Sequence, residues 1–489
     1  MKNRLLLTIT IFVFIQSITV GQVEFNTHSP KKMEKDLKEL LDMVDAHPDP
    51  FAKITEEDFN QIVDVVKQNI TKELDEVDFY KNLSRIVAAI SDGHSRLSMP
   101  RHWLKNLMKK HGVFPYEIFV TNKNELFIIK SYGDENLPLG VQILEINGMS
   151  VDSMINALNP YISYETIPFR NDKITESFEL MLYLIFKQSS NLKFKTANSE
   201  VIIPSIPFKD WKKQKKDNRE EREKKIGIGE PYEFTILEPG VGKIDIFSFS
   251  VSDIDKYNFF LNKTFKQIKK NNIHSLIIDV RGNYGGWPKI ASELFHYIHN
   301  GYFKTMAKSS MKISYPYRNY FTRRNPSLRS GNVILEQKRH YVDLSSVLYG
   351  KLDSYVDEDL FFNETPIMET YEFTGDCYLL IDRKSYSASS AFASTFQCYT
   401  MGFIIGEPTG GTKIFRANAI FKELPRTSIV AAMSTTKLYT ACYNLEDEPV
   451  NPNIVVVPTI TDRVFDQDPQ LITALLLIKK MQKAKADME

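Results

Sequence analysis

Apolar residues between Met33 and Ile90 recur three and four positions apart, the spacing that lays one buried stripe along a helix. Met33, Leu37, Leu40, Leu41 and Val44 make the first stripe, which stops at AHPDPF because Pro48 and Pro50 cannot continue a helix. A second helix is predicted across residues 56–70. A third runs from 77 to 90, with Phe79, Leu83, Ile86, Val87 and Ile90 on one face. It ends at SDGHSRL, where Gly93 suits a left-handed helix stop and His94 follows just past the carboxyl end.

From residue 113 to about 203 the pattern shortens to strand-like alternation, as in ELFIIKSYG and GVQILEINGMSVDSMINAL, and Asn147-Gly148 is a turn signal. A small β-rich domain is expected there. In KDWKKQKKDNREEREKK, residues 209–225, 14 of 17 residues are charged, a density that cannot be buried and predicts a solvated loop or exposed helix between domains. Past residue 230 strand-like runs (GKIDIFSFS, SLIIDV, CYLLID, GFIIGEPT, SIVAAMSTT) alternate with helical ones (254–270, 287–299, 388–398), the rhythm of βαβ units and an α/β sheet. Residues 308–370 break that rhythm with SYPYRNYFTRR, which reads either as a cover over a site or as a packed insertion. The divisions expected are a leader over 1–21, a helical part over 22–112, a β-rich domain over 113–204, a charged linker or loop over 205–230 and an α/β domain over 231–489.

Charge and cysteines narrow the function. With 62 Lys+Arg against 61 Asp+Glu, the chain lacks the basic excess that a phosphate backbone demands, so no nucleic-acid partner is expected. The start MKNRLLLTITIFVFIQSITVGQ sets Lys2 and Arg4 before an apolar run from Leu5 to Val20, then Gly21, which fits a secretory signal cleaved near Gly21. A membrane anchor is the other reading, but the run is shorter than the roughly 20 apolar residues of a spanning helix. No stable span is expected after signal removal. Cys377, Cys398 and Cys442 have no metal-site spacing and allow one disulfide at most.

Two stretches carry candidate chemistry. RKSYSASSAFA puts four serines between 385 and 390, after the apolar run CYLLID and before a predicted helix. A strand-to-helix turn exposes one side chain while the amides of the helix start point at the same place, which suits a nucleophile and a developing oxyanion. Helix caps or small packing residues explain the same serines. LIIDVRGNYGG brings a buried strand to Gly285 and Gly286, where backbone approaches a ligand closely, with Asp279 and Arg281 expected to pair; a plain glycine turn is the alternative.

SDGHSRL, LIIDVRGNYGG, RKSYSASSAFA, GFIIGEPTGG and EPVNPNIVVVP occur in the order found in the tail-specific, or C-terminal-processing, serine peptidases, and the set most resembles the tricorn-type bacterial branch. With HPDPF, FPYEIFV and GVQILEING the likeness runs from about residue 31 to 460. Five motifs in order are specific where each alone is not. The resemblance implies a helical amino-terminal part, a PDZ-like β-rich module over 113–204 and a crotonase-like α/β serine peptidase core over 231–489. It puts the nucleophile on Ser387, the oxyanion donors on the amides of Ala388, Gly285 and Gly286, the general base on His94 and an orienting carboxylate on Glu446, with Glu448 second. Lys413 is the alternative general base. Serine needs a neighbouring base to become a nucleophile, and imidazole accepts a proton near neutral pH.

The chain also departs from its relatives. Gly93 stands where the tricorn core has a serine before its histidine, leaving Ser95 or Ser389 as candidates for a second serine. Ser390 stands where many relatives have Glu, and Thr412 falls at the processing peptidases' lysine, with Lys413 one position late. The PDZ-like stretch lacks an obvious glycine-rich carboxylate-binding loop. The expectation is an exported serine endopeptidase, periplasmic or secreted, acting on peptides or unfolded proteins through a Ser-His(-Glu) site and an acyl-enzyme, without metal or cofactor. A catalytically silent ligand-binding module of the same fold and a serine esterase are the alternatives; the joint presence of Ser387, His94 and the double glycine favours the peptidase.

Overall fold

A computed structural model describes residues 25–133, 137–216, 230–251, 253–324, 344–359, 373–443 and 447–487. Its centre is a six-stranded sheet in the order Tyr232–Glu238, Val241–Ile246, Ser275–Asp279, Asp376–Ile381, Gly402–Gly406, Ile454–Val455. All neighbours are parallel except the first pair. Side chains alternate across it: Ile244, Leu276, Ile278, Leu379 and Ile381 pack with Tyr257, Leu261, Phe265, Phe392 and Phe396, while Ile277, Tyr378, Leu380 and Ile405 pack with Ala474 and Ile478. Helices Ile254–Lys270 and Ala388–Cys398 therefore cover one face and helix Pro469–Ala486 the other. This burial on both faces is what the continuous apolar runs SLIID and CYLLI require. The carboxyl ends of the central strands lead into RGNYGG and RKSYS, where open α/β sheets present ligand-binding crevices.

The amino-terminal helices fall at Pro30–Val44, Glu56–Asn69 and Glu76–Ala89, close to the periodicity. One expectation fails at their end. The left-handed residue after the third helix is Ser91, with φ of 55°, and Gly93 is not in a positive-φ conformation; its lack of a side chain serves packing instead, as shown below.

The stretch expected to be β-rich is mixed. It holds two small sheets, one of Tyr116–Val120, Leu126–Ser131 and Gln142–Ile143 and one of Glu200–Ile203, Leu192–Lys195, Glu145–Ile146 and Met149–Ser150. Helices Val151–Leu158, Ile167–Glu176 and Phe178–Phe186 lie in sequence between strands Met149–Ser150 and Leu192–Lys195 of the second sheet. FELMLYLIF is apolar nearly all round, and such a run has no period that separates helix from strand. Asn147 and Gly148 form the hairpin turn, at φ of 50° and 78°, as the pair predicts.

Residues 208–216 are helical, and the rest of the charged segment, 217–229, lies outside the described residues, as does the leader. The 308–370 region is in its described parts a packed insertion. Met306–Lys312 pairs with Tyr355–Asp359 and Thr436–Thr440, and Tyr317, Phe321 and Val347 are buried in one apolar cluster with Leu40 and Phe79 of the amino-terminal helices and Phe114 and Ile118 beyond them. Cys398 and Cys442 form a disulfide, and Cys377 is free and buried. Among the described residues no helix is long and apolar enough to cross a membrane.

Candidate active site

After strand Asp376–Ile381 the chain turns sharply. Ser385 holds the turn: its hydroxyl donates to the Val280 carbonyl at 3.0 Å and accepts the Asp382 amide at 3.1 Å. Arg383 fixes it from outside, donating to the Val120 carbonyl at 2.9 Å and lying 2.6 Å from Asp172. Ser387 then takes φ of 56° and ψ of −119°, a conformation that costs a non-glycine residue of order 1–3 kcal/mol and persists only where the surroundings impose it. It precedes helix Ala388–Cys398 but does not cap it with its side chain. Ser385, Ser389 and Ser390 are buried, and Ser390 donates to the Ser385 carbonyl at 3.0 Å. Ser387 alone of the four is partly open to solvent.

The glycine loop lies against this turn. A Cβ on Gly285, φ 99°, would stand 2.8 Å from both the Ser387 Cβ and the Ala388 nitrogen. A Cβ on Gly286, φ 144°, would meet the Phe249 carbonyl carbon at 2.1 Å, so both positions admit glycine alone. The two amides differ. That of Gly285 donates to Asn283 Oδ1 at 2.8 Å. Gly286 forms a parallel bridge whose bonds to Phe249 come from the Gly285 carbonyl and the Trp287 amide, so its own N–H points away from Phe249. Arg281 pairs with Asp279 at 2.6 Å, as expected, and also with Asp468 at 2.6 Å.

His94 reaches this place from the other end of the chain. Strand Arg96–Ser98 pairs with Val430–Met433, and Ser434 then donates its hydroxyl to Asp92 Oδ2 at 2.6 Å and its amide to Ser95 Oγ at 3.0 Å. Asp92 Oδ2 also accepts the Ser95 hydroxyl at 2.5 Å, and Oδ1 accepts the His94 amide at 3.0 Å. Burial alone would raise the Asp92 carboxyl, but His47 and His94 beside it hold it well below the ordinary carboxylate range. The His47 Nδ1 accepts the Asp49 amide at 3.2 Å, which puts its Nε2 3.4 Å from Asp92 Oδ2. The His94 ring lies between Tyr386 and Phe415, at centroid distances of 4.7 and 5.9 Å. Its Nδ1 is 2.8 Å from the Tyr386 hydroxyl, which donates to Glu165 Oε1 at 2.7 Å; its Nε2 is buried without a hydrogen-bond partner among the described residues.

Ligand atoms of Asp92, His94 and Glu165 lie within 4.8 Å of one another, a metal-type grouping. Both Asp92 oxygens already accept hydrogen bonds and the Tyr386 hydroxyl bridges the other two, so the cluster is arranged as a proton network.

Lys413 does not join these groups. Its ammonium pairs with Glu448 at 3.1 Å, whereas the preceding Thr412 is buried with its hydroxyl on the Ile414 carbonyl at 2.6 Å. Glu448 is thus held by Lys413, and Glu446 lies outside the described residues. Ser95, a second-serine candidate, is committed to Asp92; the Ser389 hydroxyl is buried and unpartnered among the described residues. Sequence reasoning missed Asp92, Tyr386, Glu165 and His47. Asp92 and Tyr386 sit inside quoted motifs, two before His94 and one before Ser387, whereas nothing around Glu165 marks it out.

Residues 240–456 match the sequence model of peptidase family S41. This stretch is an S41 peptidase domain. The chain is accordingly a serine-type peptidase whose substrates are peptides or proteins, as the resemblance to tail-specific peptidases implied. The S41 domain contains Ser387 and both glycines; His94, Asp92 and Glu165 come to it from outside the matched segment. Mature CPAF is similar in structure at TM-score 0.59 and 14% identity, over 89% of this chain and 95% of that one. CPAF complexed with lactacystin reaches 0.62 at 14%, over 94% and 98%. At that identity the likeness shows a shared mixed α/β fold. The photosystem II D1 C-terminal processing protease aligns at TM-score 0.40 and 13% identity over 88% and 96%. No curated protein sequence matches the chain.

Proposed function

We propose that the chain is an exported serine endopeptidase in which Ser387 is the nucleophile, His94 the general base, and the amides of Ala388 and Gly286 the oxyanion donors. The observation that carries this reading is the strained, partly exposed Ser387 at a helix start, one residue from the tyrosine that holds His94. In this scheme His94 Nε2 takes the Ser387 hydroxyl proton as Oγ bonds to the substrate carbonyl carbon. The oxyanion accepts the two N–H groups, and the proton passes to the departing amine. Water then repeats the sequence on the acyl-enzyme. Gly285 is left out as a donor because Asn283 already takes its amide.

The same reading divides the chain into a helical part over 22–112, a PDZ-like module over 113–204 and a crotonase-like core over 231–489, with Glu446 as the orienting carboxylate before the VNPNI motif. Export through the 1–21 leader accords with the Cys398–Cys442 disulfide, since such bridges persist in oxidising compartments. The test is labelling with a fluorophosphonate alongside turnover of labelled casein and a simple ester. The parent should label and cleave casein, while Ser387→Ala should fold, not label and not cleave. Labelling that survives Ser387→Ala removes the assignment, and ester turnover without peptide turnover makes the protein an esterase.

A further inference from the structure

The His94 ring has two nitrogens, and only one arrangement of protons leaves Nε2 free to act as a base. The Asp92 carboxylate cannot enforce it by a hydrogen bond: Asp92 Oδ1 is 3.7 Å from His94 Nδ1 and is occupied by the His94 amide. The group at hydrogen-bond distance from Nδ1 is the Tyr386 hydroxyl, which in turn reaches Glu165 Oε1. We propose that Glu165, acting through the Tyr386 hydroxyl, sets which nitrogen of His94 carries the proton, so that both are positioning residues of the peptidase. The inference rests on His94 being the base, and on the geometry of this bridge.

The argument is a count of protons. A phenol has one, and burial, then the charge of Glu165, keeps it on Tyr386 by raising its pKa. When Glu165 is ionised it accepts that proton's hydrogen bond, the phenol oxygen can only accept from His94, Nδ1 carries the hydrogen and Nε2 presents its lone pair. When Glu165 is protonated, its own O–H can donate to the phenol oxygen, the phenol proton turns to Nδ1 and Nε2 carries the hydrogen, which disables it as a base. The buried ionised Asp92 near Nδ1 favours the first arrangement.

Gly93 is part of the device. A Cβ there would stand 2.5 Å from Glu165 Oε2 and 2.6 Å from the Tyr386 hydroxyl oxygen, so the space a side chain would fill is the space the bridge uses. The absence of a side chain at this position, which the sequence suggested was a helix stop, follows from the bridge.

Charged groups from several elements act on it. Burial, then Asp92, raises the Glu165 carboxyl, while Lys173 on helix Ile167–Glu176 and His94 oppose this. Arg96 on strand Arg96–Ser98 acts on Tyr386, and Glu176 on Lys173. Lys173 is itself lowered by burial to about 8, and donates to the carbonyls of Gly93 at 3.1 Å and Ser163 at 2.8 Å.

The test uses the full chain with labelled casein as substrate. Tyr386→Phe keeps the ring, which stacks on Phe169 at 4.1 Å, and removes only the bridge. It should lower kcat about 10- to 100-fold, below the about 10⁴ seen when a triad histidine is held in the wrong tautomer, with KM within about twofold. Glu165→Gln removes the titration, but its amide can accept from the phenol through Oε1 or donate to it through its NH2, so kcat should fall at alkaline pH by less than in Tyr386→Phe and the acid limb of the profile should no longer carry the Glu165 step. The ¹⁵N shifts of His94 should show an unprotonated Nε2 in the active parent. Tyr386→Phe with the parent's kcat and pH profile, or Glu165→Gln with the parent's acid limb, overturns the inference alone. A parent that neither labels nor cleaves overturns the proposed function together with it.

Discussion

Lys413 and His94 were both candidate bases, and their surroundings separate them. The Lys413 ammonium is occupied by Glu448, while His94 has one nitrogen held and the other unpartnered among the described residues. His94→Ala should therefore lower kcat on the order of 10²–10⁴-fold, the usual range for a positioned base. Lys413→Ala should lower it less than about threefold, because on that reading it loses a partly exposed ion pair worth about 1 kcal/mol or less. Parallel kinetics of the two variants with Ser387 labelling decide between them, and a dead Lys413 variant beside a normal His94 variant would reverse the assignment.

At the scale of elements, helix Phe178–Phe186 carries an ionisable residue where its apolar surroundings do not favour charge. Glu179 accepts the Phe114 amide at 3.0 Å with one oxygen and leaves the other unpartnered among the described residues, and burial pushes its carboxyl up to about 7. The folded chain then keeps a proton that the unfolded chain gives up near 4.5. Between these values the native state binds more protons, so stability falls as pH rises through the window. Glu179→Gln should raise stability by about 1–3 kcal/mol at pH 8 and change it little at pH 4, with thermal melts at the two pH values as the measure. An equal effect at both would show that the carboxyl titrates normally in the fold.

For the whole molecule, long-range ties hold the site. Arg383 joins the Ser387 turn to Val120 and Asp172, Arg416 joins the core to Asp49 at 2.7 Å, and Asp36 receives the amides of Arg426 and Thr427. The Cys398–Cys442 bridge, closing a separation of 44 residues, ties the end of helix Ala388–Cys398 to the strand Thr436–Thr440 region. Its chain-entropy worth is about 4 kcal/mol. Reduction should lower the melting temperature markedly, yet leave Ser387 labelling at 25 °C nearly unchanged, because the Ser387 turn is fixed at the other end of that helix. Labelling lost on reduction at temperatures where the chain stays folded would show instead that the bridge shapes the site.

Local sequence determined the elements whose pattern is local. Periodic apolar residues gave the three amino-terminal helices and helix Ile254–Lys270, continuous apolar runs gave the central strands, and Asn147-Gly148 gave its hairpin. The turn at RKSYS and the glycine pair could be read as chemistry because strand-to-helix turns and backbone without Cβ have few uses. What the sequence could not supply was contact between distant segments. FELMLYLIF is apolar nearly all round, Glu179 apart, and carries no period, so its helix is decided by the core around it. Gly93 looked like a helix stop because glycine is the usual one, yet Ser91 took that conformation and the glycine's room went to Glu165 and Tyr386. The Glu165–Tyr386–His94 bridge joins residues 221 and 292 positions apart, and no single segment of the chain contains the information that they meet. Side-chain period and turn preference act over a few residues and are written in the sequence itself; the pairing of Arg96–Ser98 with Val430–Met433, which helps carry His94 to Tyr386, is settled only when the whole core packs.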